Sequence, residues 1–300
     1  MESLRRRRRS EVIIKIIDEL RLKYNTTKTL ILKALKISRS TYYYIKSNQN
    51  KPDKHAKITK IIKDIKNKNK SYGYRRVCLE LNNRGYNVNH KLVLKIMKKN
   101  NLLSSSYARK THKYNSYRGQ IGKIKTNQLN RRFNTDRPYQ KLSTDISEFR
   151  YGNCDINHRV YLSPIMDLFS GEIVSFNIST HPNMDCVMNP LKRAIKLIDG
   201  LPYRTTIHSD QGSQYQSHIW QRELKKHKIF QSMSRKGNCI DNSPMESFFH
   251  IMKSEVMDCH YDFKEDLISA MEIWIDYYNN HRIKTKLGGK SPVQYRELSA

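Results

Sequence analysis

The run Thr205-Thr206-Ile207-His208-Ser209-Asp210-Gln211-Gly212-Ser213-Gln214-Tyr215 decides the fold of the second half of the chain. Residues 205–209 have the composition of a short strand, and Asp210 follows them directly at a turn. A helical segment begins at Gln216. The run therefore places one carboxylate at the end of a strand.

The segments on either side of this run alternate between strands and helices. Residues 141–149 alternate as a strand that contains Asp145, and residues 159–166 and 171–178 form a hairpin. The elements that follow are a helix at 185–199, the strand at 205–209, a helix at 216–228 and a strand at 229–232. This order predicts an α/β fold of the ribonuclease-H-like type, a mixed five-stranded sheet with flanking helices. In that topology the first and fourth strands are neighbours, so Asp145 and Asp210 are expected side by side.

A third carboxylate lies in the run Asp241-Asn242-Ser243-Pro244-Met245-Glu246-Ser247-Phe248-Phe249. The helix after Asp241 carries apolar residues at helical spacing; these are Met245, Phe248, Phe249, Met252 and Val256. Glu246, His250 and Lys253 fall together on an adjoining stripe, so Glu246 can lean towards the two aspartates. The alternative is a surface carboxylate at Glu246, with Asp241 serving only as a helix cap.

Three carboxylates in this arrangement are typical of enzymes that bind divalent metal ions. Two on strands and one on a helix can hold two ions, which activate a nucleophile and stabilise the leaving oxygen of a phosphodiester. The pattern therefore predicts an enzyme that cuts and joins nucleic acid. Asp167 could substitute as a ligand, but its position in a turn favours capping. His208 is a candidate proton shuttle, with a supporting role in the core as the alternative.

The charge of the chain is large and unevenly distributed. The 300 residues carry a formal net charge of +30, which indicates a polyanionic partner. Residues 1–138 contain 37 Lys and Arg against 8 Asp and Glu, whereas residues 139–300 contain 20 against 19. We expect the basic half to hold phosphates and the balanced half to be catalytic. A ribosomal or chromatin-type protein would not need the balanced half.

The beginning of the basic half predicts a helix-turn-helix. An apolar stripe at 11–24 and a short helix at 27–35 precede Ser38, which can cap a third helix that begins at Arg39. We expect a basic arm and this segment within residues 1–50, with Arg39 close to DNA. An ordinary small helical bundle is the alternative.

Residues 51–103 predict a second helix-turn-helix-like DNA-binding unit. Its last helix begins after Asn89 and turns an apolar face inward and lysines outward. The candidate contacts of this unit, mainly to phosphates, are Arg75, Arg76, Lys91 and Lys95. Residues 104–138 lack an apolar period and are interpreted as a basic linker. Residues 139–300 are expected to form the catalytic core with a C-terminal helix.

The cellular location is expected to be cytoplasmic. The cysteine spacing does not suit a zinc site, and the sequence contains neither a signal peptide nor a stretch that could be a transmembrane helix. We therefore expect no membrane partner, and an association with the bacterial nucleoid through DNA.

Five motifs together resemble the retroviral-integrase-like core of bacterial insertion-sequence transposases. They are Asp145, the run from His208 to Tyr215, residues 232–239, the run from Asp241 to Phe249, and Tyr277-Tyr278-Asn279-Asn280-His281-Arg282. Thirty-five residues separate Asp210 from Glu246, as the family pattern requires. The chain is most similar to transposases that are split over two reading frames, and it resembles the second-frame product, OrfB.

The resemblance implies a DDE transposase in which Asp145, Asp210 and Glu246 are the catalytic ligands of two Mg²⁺ or Mn²⁺ ions. Water nicks the end of the element, and the freed 3′-hydroxyl then attacks target DNA. Lys253 matches a basic residue that grips the terminal phosphates, and Arg235 and Lys236 are further candidates for DNA contact. The positions expected to support the site are His208, Gln214, Tyr215 and Asn242.

The partners implied are DNA, a first-frame (OrfA) protein as a fusion or in trans, and further copies of the chain on DNA. Two other functions stay open from the sequence. One is a non-catalytic helix-turn-helix DNA-binding regulator, which the three carboxylates disfavour. The other is a ribonuclease-H-like nuclease that cuts without joining, which the two DNA-binding units disfavour.

Overall fold

The computed structural model describes residues 2–49, 54–104, 124–155, 157–235 and 237–299. Lys236, a candidate for DNA contact, lies outside these ranges. The chain divides into two compact units: a helical unit of Met1–Leu81 and Gly85–Leu103, and an α/β unit of Asn82–Arg84 and Ser104–Ala300. Within the described ranges, no helix is long and apolar enough to cross a membrane.

The described part of the first unit is helical. Its elements are α1 (Glu2–Tyr24), α2 (Lys28–Ala34), α3 (Arg39–Gln49), α4 (Ala56–Lys68), α5 (Tyr74–Asn83) and α6 (His90–Lys99). α1 begins at Glu2 and not at residue 11, because arginine is a good helix former and nothing in the sequence breaks the helix after the arginine run. The expected arm is therefore helical.

The first three helices pack around a small apolar core. Its buried residues are Ile14, Ile17, Ile31, Leu32 and Tyr42. Ser38 caps α3 as predicted, because its Oγ accepts the backbone N–H of Thr41 at 3.1 Å. Arg39 is exposed at the start of α3, where a DNA contact is expected.

The helices α4 to α6 also turn their apolar residues inward. The buried ones are Ile62, Ile65, Val77, Leu81, Val93, Ile96 and Met97. Asn89 caps α6 as predicted, since its Oδ1 accepts the N–H of Lys91 at 2.8 Å. Lys66 is buried in the last turn of α4, and its ammonium donates to the carbonyl oxygen of Tyr72 at 3.0 Å. Burial lowers the pKa of Lys66, whose bonds hold the chain between α4 and α5.

The second unit alternates strands and helices in the predicted order. Its elements are β1 (Lys141–Thr144), β2 (Ser147–Arg150), β3 (Arg159–Asp167), β4 (Ile173–Ser179), α7 (Met184–Ile198), β5 (Thr206–Ser209), α8 (Ser213–Gln216), α9 (His218–Lys226), β6 (Phe230–Met233), α10 (Ser243–Val256), α11 (Lys264–Asn280) and α12 (Pro292–Leu298). Short 3-10 turns occupy Cys239–Asn242 and Thr285–Leu287.

The strands form one mixed sheet of the predicted ribonuclease-H-like type. The order is β2-β3-β1-β5-β6, with β4 also paired to β3. β1 is antiparallel to β3 and parallel to β5, and β6 is parallel to β5. The strand predicted at 141–149 is divided into β1 and β2, although Thr144 faces Ile165 and Ser147 faces Leu162 in one register along β3. The division therefore interrupts the ladder at Asp145 without shifting it.

Helices cover both faces of the sheet. On one face, Leu142, Ile165 and Ile207 pack with residues of α7 and α9, including Trp220. On the other face, Val160, Leu162 and Met166 pack with α10 and α11. The apolar stripe predicted for α10 is confirmed, because Met245, Phe248, Phe249, Met252 and Val256 are all buried. Glu246 is thereby held at the margin of this helix, as the spacing predicts.

Asp167 closes the turn between β3 and β4, as its position predicts. The side chain is fully buried, and its carboxylate accepts the backbone N–H groups of Tyr139 at 3.0 Å, Phe169 at 3.2 Å and Ser170 at 3.3 Å. The Ser170 hydroxyl donates to the same carboxylate at 3.1 Å. Burial raises the pKa of Asp167, and the four donors act against that shift.

Replacing Asp167 with Ala is expected to lower the free energy of unfolding by about 2–3 kcal/mol, because several buried donors lose their acceptor. Urea denaturation measures the change. Asp258 is exposed, and Asp258→Ala is the matched control, with an expected change of at most about 0.5 kcal/mol. Equal losses in the two variants would show that the hydrogen bonds of Asp167 do not stabilise the turn.

Candidate active site

Asp145 and Asp210 follow the ends of two neighbouring parallel strands. Ser143 on β1 faces His208 on β5, so each aspartate comes two residues after a paired position. In open α/β sheets, ligands bind outside the carboxyl ends of parallel strands. The carboxylate of Asp145 accepts the N–H of Ile146 at 2.8 Å, in the interruption between β1 and β2.

Gly212 lies directly against the carboxylate of Asp210. The Oδ1 of Asp210 accepts the N–H of Gly212 at 2.9 Å, and a Cβ on Gly212 would lie 3.0 Å from that oxygen. A larger residue would press on this carboxylate, whereas the ring of Tyr215, at 3.4 Å, would be in ordinary van der Waals contact. A side chain at position 212 would therefore require a small shift of the Asp210 carboxylate.

Burial raises the pKa of both aspartates, and repulsion by neighbouring carboxylates acts on Asp145 as well. Burial raises the pKa of Asp145, the charge of Asp210 raises it further, and the charge of Glu246 acts in the same direction. The ammonium of Lys253 opposes these effects. Burial also raises the pKa of Asp210. The site therefore brings together carboxylates whose burial and proximity disfavour the charged form of Asp145.

Asp145 and Asp210 line a common pocket of about 240 Å³, whose walls include Glu148, Gly212, Gln214 and Tyr215. Glu246 does not line this pocket; it is exposed in the first turn of α10. Within the described ranges, no three His, Cys, Asp or Glu side chains are close enough together to hold a metal ion. The structure thus brings the two aspartates together, with Glu246 near enough to act on Asp145 through its charge.

Asn242 connects the helix of Glu246 to the strand of Asp145. Its buried amide accepts a hydrogen bond from the Ser143 hydroxyl at 2.6 Å and donates to the carbonyl oxygen of Thr144 at 3.2 Å. Ser143 and Thr144 are the last residues before Asp145. Asn242 therefore aligns the beginning of α10 with the end of β1.

Tyr215 and Gln214 are the other predicted supporting residues of the pocket. Tyr215 is buried, and its hydroxyl lies 3.4 Å from the Thr144 hydroxyl, which donates to the carbonyl oxygen of Pro164. Burial and the charges of Asp145 and Asp210 raise the pKa of Tyr215, so its phenol stays protonated. The Gln214 amide donates to the carbonyl oxygen of Pro182 at 2.7 Å and connects α8 to the loop before α7.

A third carboxylate, Glu148, lines the same pocket as Asp145 and Asp210. It accepts hydrogen bonds from Arg150 at 2.8 Å and from Arg159 at 3.0 Å. The Lys253 ammonium lies 5.1 Å from the centre of the Phe149 ring; burial lowers its pKa, and the charges of Glu148 and Asp145 raise it. Sequence reasoning missed Glu148, because an alternating strand gave no reason to place it beside Asp145.

His208 is enclosed in the core of the sheet. It is fully buried, with Nδ1 at 2.9 Å from the Ser232 hydroxyl and Nε2 at 3.1 Å from the Ser234 hydroxyl. The Ser232 oxygen accepts the N–H groups of Gln128 and Leu129, so its own proton is directed to Nδ1. Burial lowers the pKa of His208 to about 4. This geometry favours a supporting role over a proton shuttle.

The segment before β1 packs on the sheet. Besides the bonds of Gln128 and Leu129 to Ser232, Lys125 directs its N–H to the Met233 sulfur at 3.3 Å, and Leu129 is buried. These residues belong to the end of the stretch interpreted as a linker. Leu129 and Phe133, two apolar residues in a polar run, were the available signal, and both pack against the core of the α/β unit.

The remaining candidates for DNA contact lie on the surface. Arg235 is bonded to Asp241, and the guanidinium of Arg75 lies over the ring of Tyr74 at 5.7 Å. The guanidinium of Arg76 lies over the ring of Tyr72 at 5.6 Å. Lys91 and Lys95 are exposed on α6, as the spacing predicts. These positions remain predictions of DNA contact.

Comparison with known proteins agrees with this architecture. The family model for an integrase core domain matches residues 135–239, a second integrase core domain model matches residues 246–299, and a model for an HTH-like domain matches residues 53–111. The transposase InsK of insertion sequence element IS150 from Escherichia coli (strain K12) is 42% identical over 288 residues, which cover 94% of this chain and 97% of that protein.

The chain belongs to the insertion-sequence transposases. Transposase InsF of insertion sequence IS3A, also from Escherichia coli (strain K12), is 31% identical over 228 residues, covering 75% of this chain and 76% of that protein. A transposase-like protein of Haemophilus influenzae is 42% identical over 216 residues, which cover 71% of this chain and 94% of that protein. The chain is of the second-frame (OrfB) type and is a DNA transposase with a DDE integrase core. The family uses divalent metal ions, and the HTH-like domain implies binding to DNA.

Proposed function

We propose that this transposase cleaves DNA at the ends of its element and transfers the strand to target DNA, with Asp145, Asp210 and Glu246 as the catalytic carboxylates. The observation that supports the proposal is the pair of aspartates that follow adjacent parallel strands and share one pocket. Such pairs with raised pKa values are typical of sites that perform chemistry.

The donor chemistry of the pocket fits a divalent cation. Carboxylate oxygens are the ligands that Mg²⁺ and Mn²⁺ prefer. A cation would also relieve the repulsion that raises the pKa of Asp145. Asp145 and Asp210 would hold it, and Glu246, whose charge already acts on Asp145, would complete the set. When bound, two such ions supply an activated nucleophile and stabilise the leaving oxygen.

The residues of the chain position the substrate around these carboxylates. The Lys253 ammonium, beside the Phe149 ring, is placed to bind a phosphate of the DNA strand that approaches Asp145. The protonated phenol of Tyr215 closes the pocket without adding a charge. Asn242 keeps the beginning of α10 in register with β1, and thereby keeps Glu246 close to Asp145.

In each chemical step one P–O bond forms and one P–O bond breaks at the same phosphorus atom. Water attacks the phosphate at the end of the element, and the bond to the leaving 3′-oxygen breaks to release a 3′-hydroxyl. That hydroxyl attacks a phosphodiester of target DNA, forming one P–O bond and breaking one. No covalent bond to the protein is required in either step.

The partners follow from this activity. DNA is both the element and the target, and the exposed lysines of α6 are placed to contact its phosphates. We expect several copies of the chain to act together on the two ends, with a first-frame protein as a fusion or in trans. A protein of net charge +30 that acts on DNA is expected to associate with the nucleoid.

A strand-transfer assay tests the proposal. Labelled DNA carrying the ends of the element is incubated with Mg²⁺ and either the wild type or Glu246→Gln. Loss of a metal ligand should lower the rate by about 10³-fold, because a metal site contributes several kcal/mol to the transition state. Glu272 is exposed on α11, and Glu272→Gln is the matched control that should keep full activity.

Other outcomes of the same assay identify the alternatives. Nicking without joining, also after addition of the first-frame protein, would indicate a nuclease. Binding without metal-dependent chemistry under those conditions would indicate a DNA-binding regulator. Equal activity of Glu246→Gln and wild type would remove Glu246 from the catalytic set.

A further inference from the structure

Asp241 is a buried carboxylate with five hydrogen-bond donors around it. The side chain has no exposed surface. It accepts Asn127 Nδ2 at 3.0 Å, Arg131 Nε at 3.0 Å, and three donors of Arg235, which are the backbone N–H at 3.1 Å, Nε at 2.8 Å and Nη2 at 2.9 Å. These hydrogen bonds, of which the one from the Arg235 side chain has the largest effect, hold the pKa of Asp241 far below its usual range. The carboxylate is therefore ionised and fully used.

The two arginines remain open to solvent on their outer sides. The Arg131 side chain is 44% exposed and the Arg235 side chain is 55% exposed, although both are bonded to a group that is fully buried. Arg131 uses its Nη2 on the Asn238 side chain at 3.1 Å, and in the described ranges the Nη1 of either arginine has no partner. Two guanidinium groups and one carboxylate leave a net charge of +1.

This cluster is attached to the same framework as the active site. Asp241 directly precedes Asn242, whose amide bonds to Ser143 and Thr144 beside Asp145. On the other side, Arg131 follows the segment whose backbone N–H groups bond to Ser232 on β6. Both arginines are thus fixed relative to the end of the sheet that carries Asp145 and Asp210.

We propose that Arg131 and Arg235, oriented by the buried carboxylate of Asp241, form a binding site for a phosphodiester of the DNA strand next to the active site. A guanidinium group binds phosphate through pairs of parallel N–H donors. Anchoring by Asp241 removes most of the side-chain freedom that would otherwise be lost when the phosphate binds. The inference rests on the proposed function, because it takes DNA as the substrate.

A purely structural role would use the same ion pairs in a different way. As a clamp, the cluster would join the segment before β1 to the loop before α10, and the exposed donors would have no ligand. A phosphate site contributes to the salt dependence of DNA binding, whereas a clamp does not. The two roles can therefore be separated by a measurement of binding at several salt concentrations.

The test uses the full chain without divalent metal and a DNA duplex that carries the ends of the element. The slope of log K against log salt concentration should decrease by about 1 for Arg131→Gln and for Arg235→Gln, since each phosphate contact contributes about that much. Arg235→Lys keeps the charge and should keep the slope. Arg222 on α9 is not bonded to a carboxylate in the described structure, and Arg222→Gln is the matched control with an unchanged slope.

Stability is measured in parallel by thermal unfolding, and binding is compared well below the lowest Tm. Slopes equal to that of the wild type in both Gln variants, with a lowered Tm, would overturn the phosphate site and leave a clamp. If the wild type does not bind the duplex at any salt concentration, the proposed function itself fails, and this inference fails with it. Wild-type binding with unchanged variant slopes overturns the inference alone.

Discussion

Replacing Asp145 with Asn is expected to remove strand transfer and, in metal-free buffer, to make the transposase more stable than the wild type. Asn has the shape of Asp without its charge, so it cannot serve as an anionic ligand. The rate should fall by about 10³-fold or more. The repulsion by Asp210 and the cost of burying the carboxylate also disappear, which should raise the free energy of unfolding by about 1 kcal/mol.

The free energy of unfolding of the metal-free wild type should also depend on pH in a way that reflects the cost of the charged Asp145. The pKa of Asp145 is higher in the folded than in the unfolded state, so the unfolded state loses its proton at lower pH. The metal-free folded state therefore loses stability as the pH rises from the usual aspartate range through the raised pKa. Asp145→Asn lacks this loss.

In the presence of Mg²⁺ we expect the wild type to be more stable than Asp145→Asn, the reverse of the order in metal-free buffer. A ligand that binds only the folded state adds roughly 2.7 kcal/mol at a hundredfold excess over its Kd, and this gain is expected for the wild type alone. Urea denaturation in EDTA and in Mg²⁺ measures both effects, with Asp258→Asn as the matched control. A variant that is less stable than the wild type in EDTA would contradict the idea that Asp145 is held against repulsion.

The second large effect is expected at His208 and concerns stability in acid. Its pKa is lowered from 6.5 to about 4 in the folded state, so between these values the unfolded state binds more protons. Stability is therefore complete above pH 6.5 and is lost as the pH falls towards 4. The full loss corresponds to about 3 kcal/mol. Protonation would also put a second donor against the Ser232 hydroxyl and disturb its bonds to the segment before β1.

The experiment compares urea denaturation of the wild type and of His208→Gln between about pH 7.5 and about pH 4.5, a range that includes the ordinary pKa of histidine. The variant should be less stable at neutral pH by about 2 kcal/mol, because the packing around the ring is lost. Its stability should nevertheless fall less steeply in acid than that of the wild type. His227 is exposed on the surface, and His227→Gln should retain the slope of the wild type. Parallel pH profiles of the wild type and His208→Gln would exclude the buried ring as the cause.

The fold could be predicted from particular local patterns. Two-residue periodicity marked the strands, helical periodicity marked α10, and the order of elements placed β1 beside β5. Each of these signals is carried by neighbouring residues in the chain. The position of Asp145 next to Asp210 then followed from the topology, because the first and fourth strands of this fold are adjacent.

The surroundings of the site could not be predicted in the same way. Arg131 and Asp241 are separated by more than a hundred positions, and their ion pair leaves no periodic pattern. The bonds of Gln128 and Leu129 to Ser232 use backbone N–H groups, which any residue except proline could supply. Glu148 lines the pocket together with Asp145 although Asp145 follows β1 and Glu148 lies on β2, and the alternation in the sequence gives no sign of the interruption between the two strands.

The amide of Asn242 has a consequence for the way the proposed catalytic carboxylates come together. It ties the first turn of α10 to the last residues of β1, so the helix cannot slide along the sheet without breaking two buried hydrogen bonds. Any approach of Glu246 to Asp145 is therefore left to rotation about the χ angles of one glutamate. Fixing those rotamers costs about 1–2 kcal/mol, far less than moving a packed helix, and it leaves the hydrophobic core undisturbed.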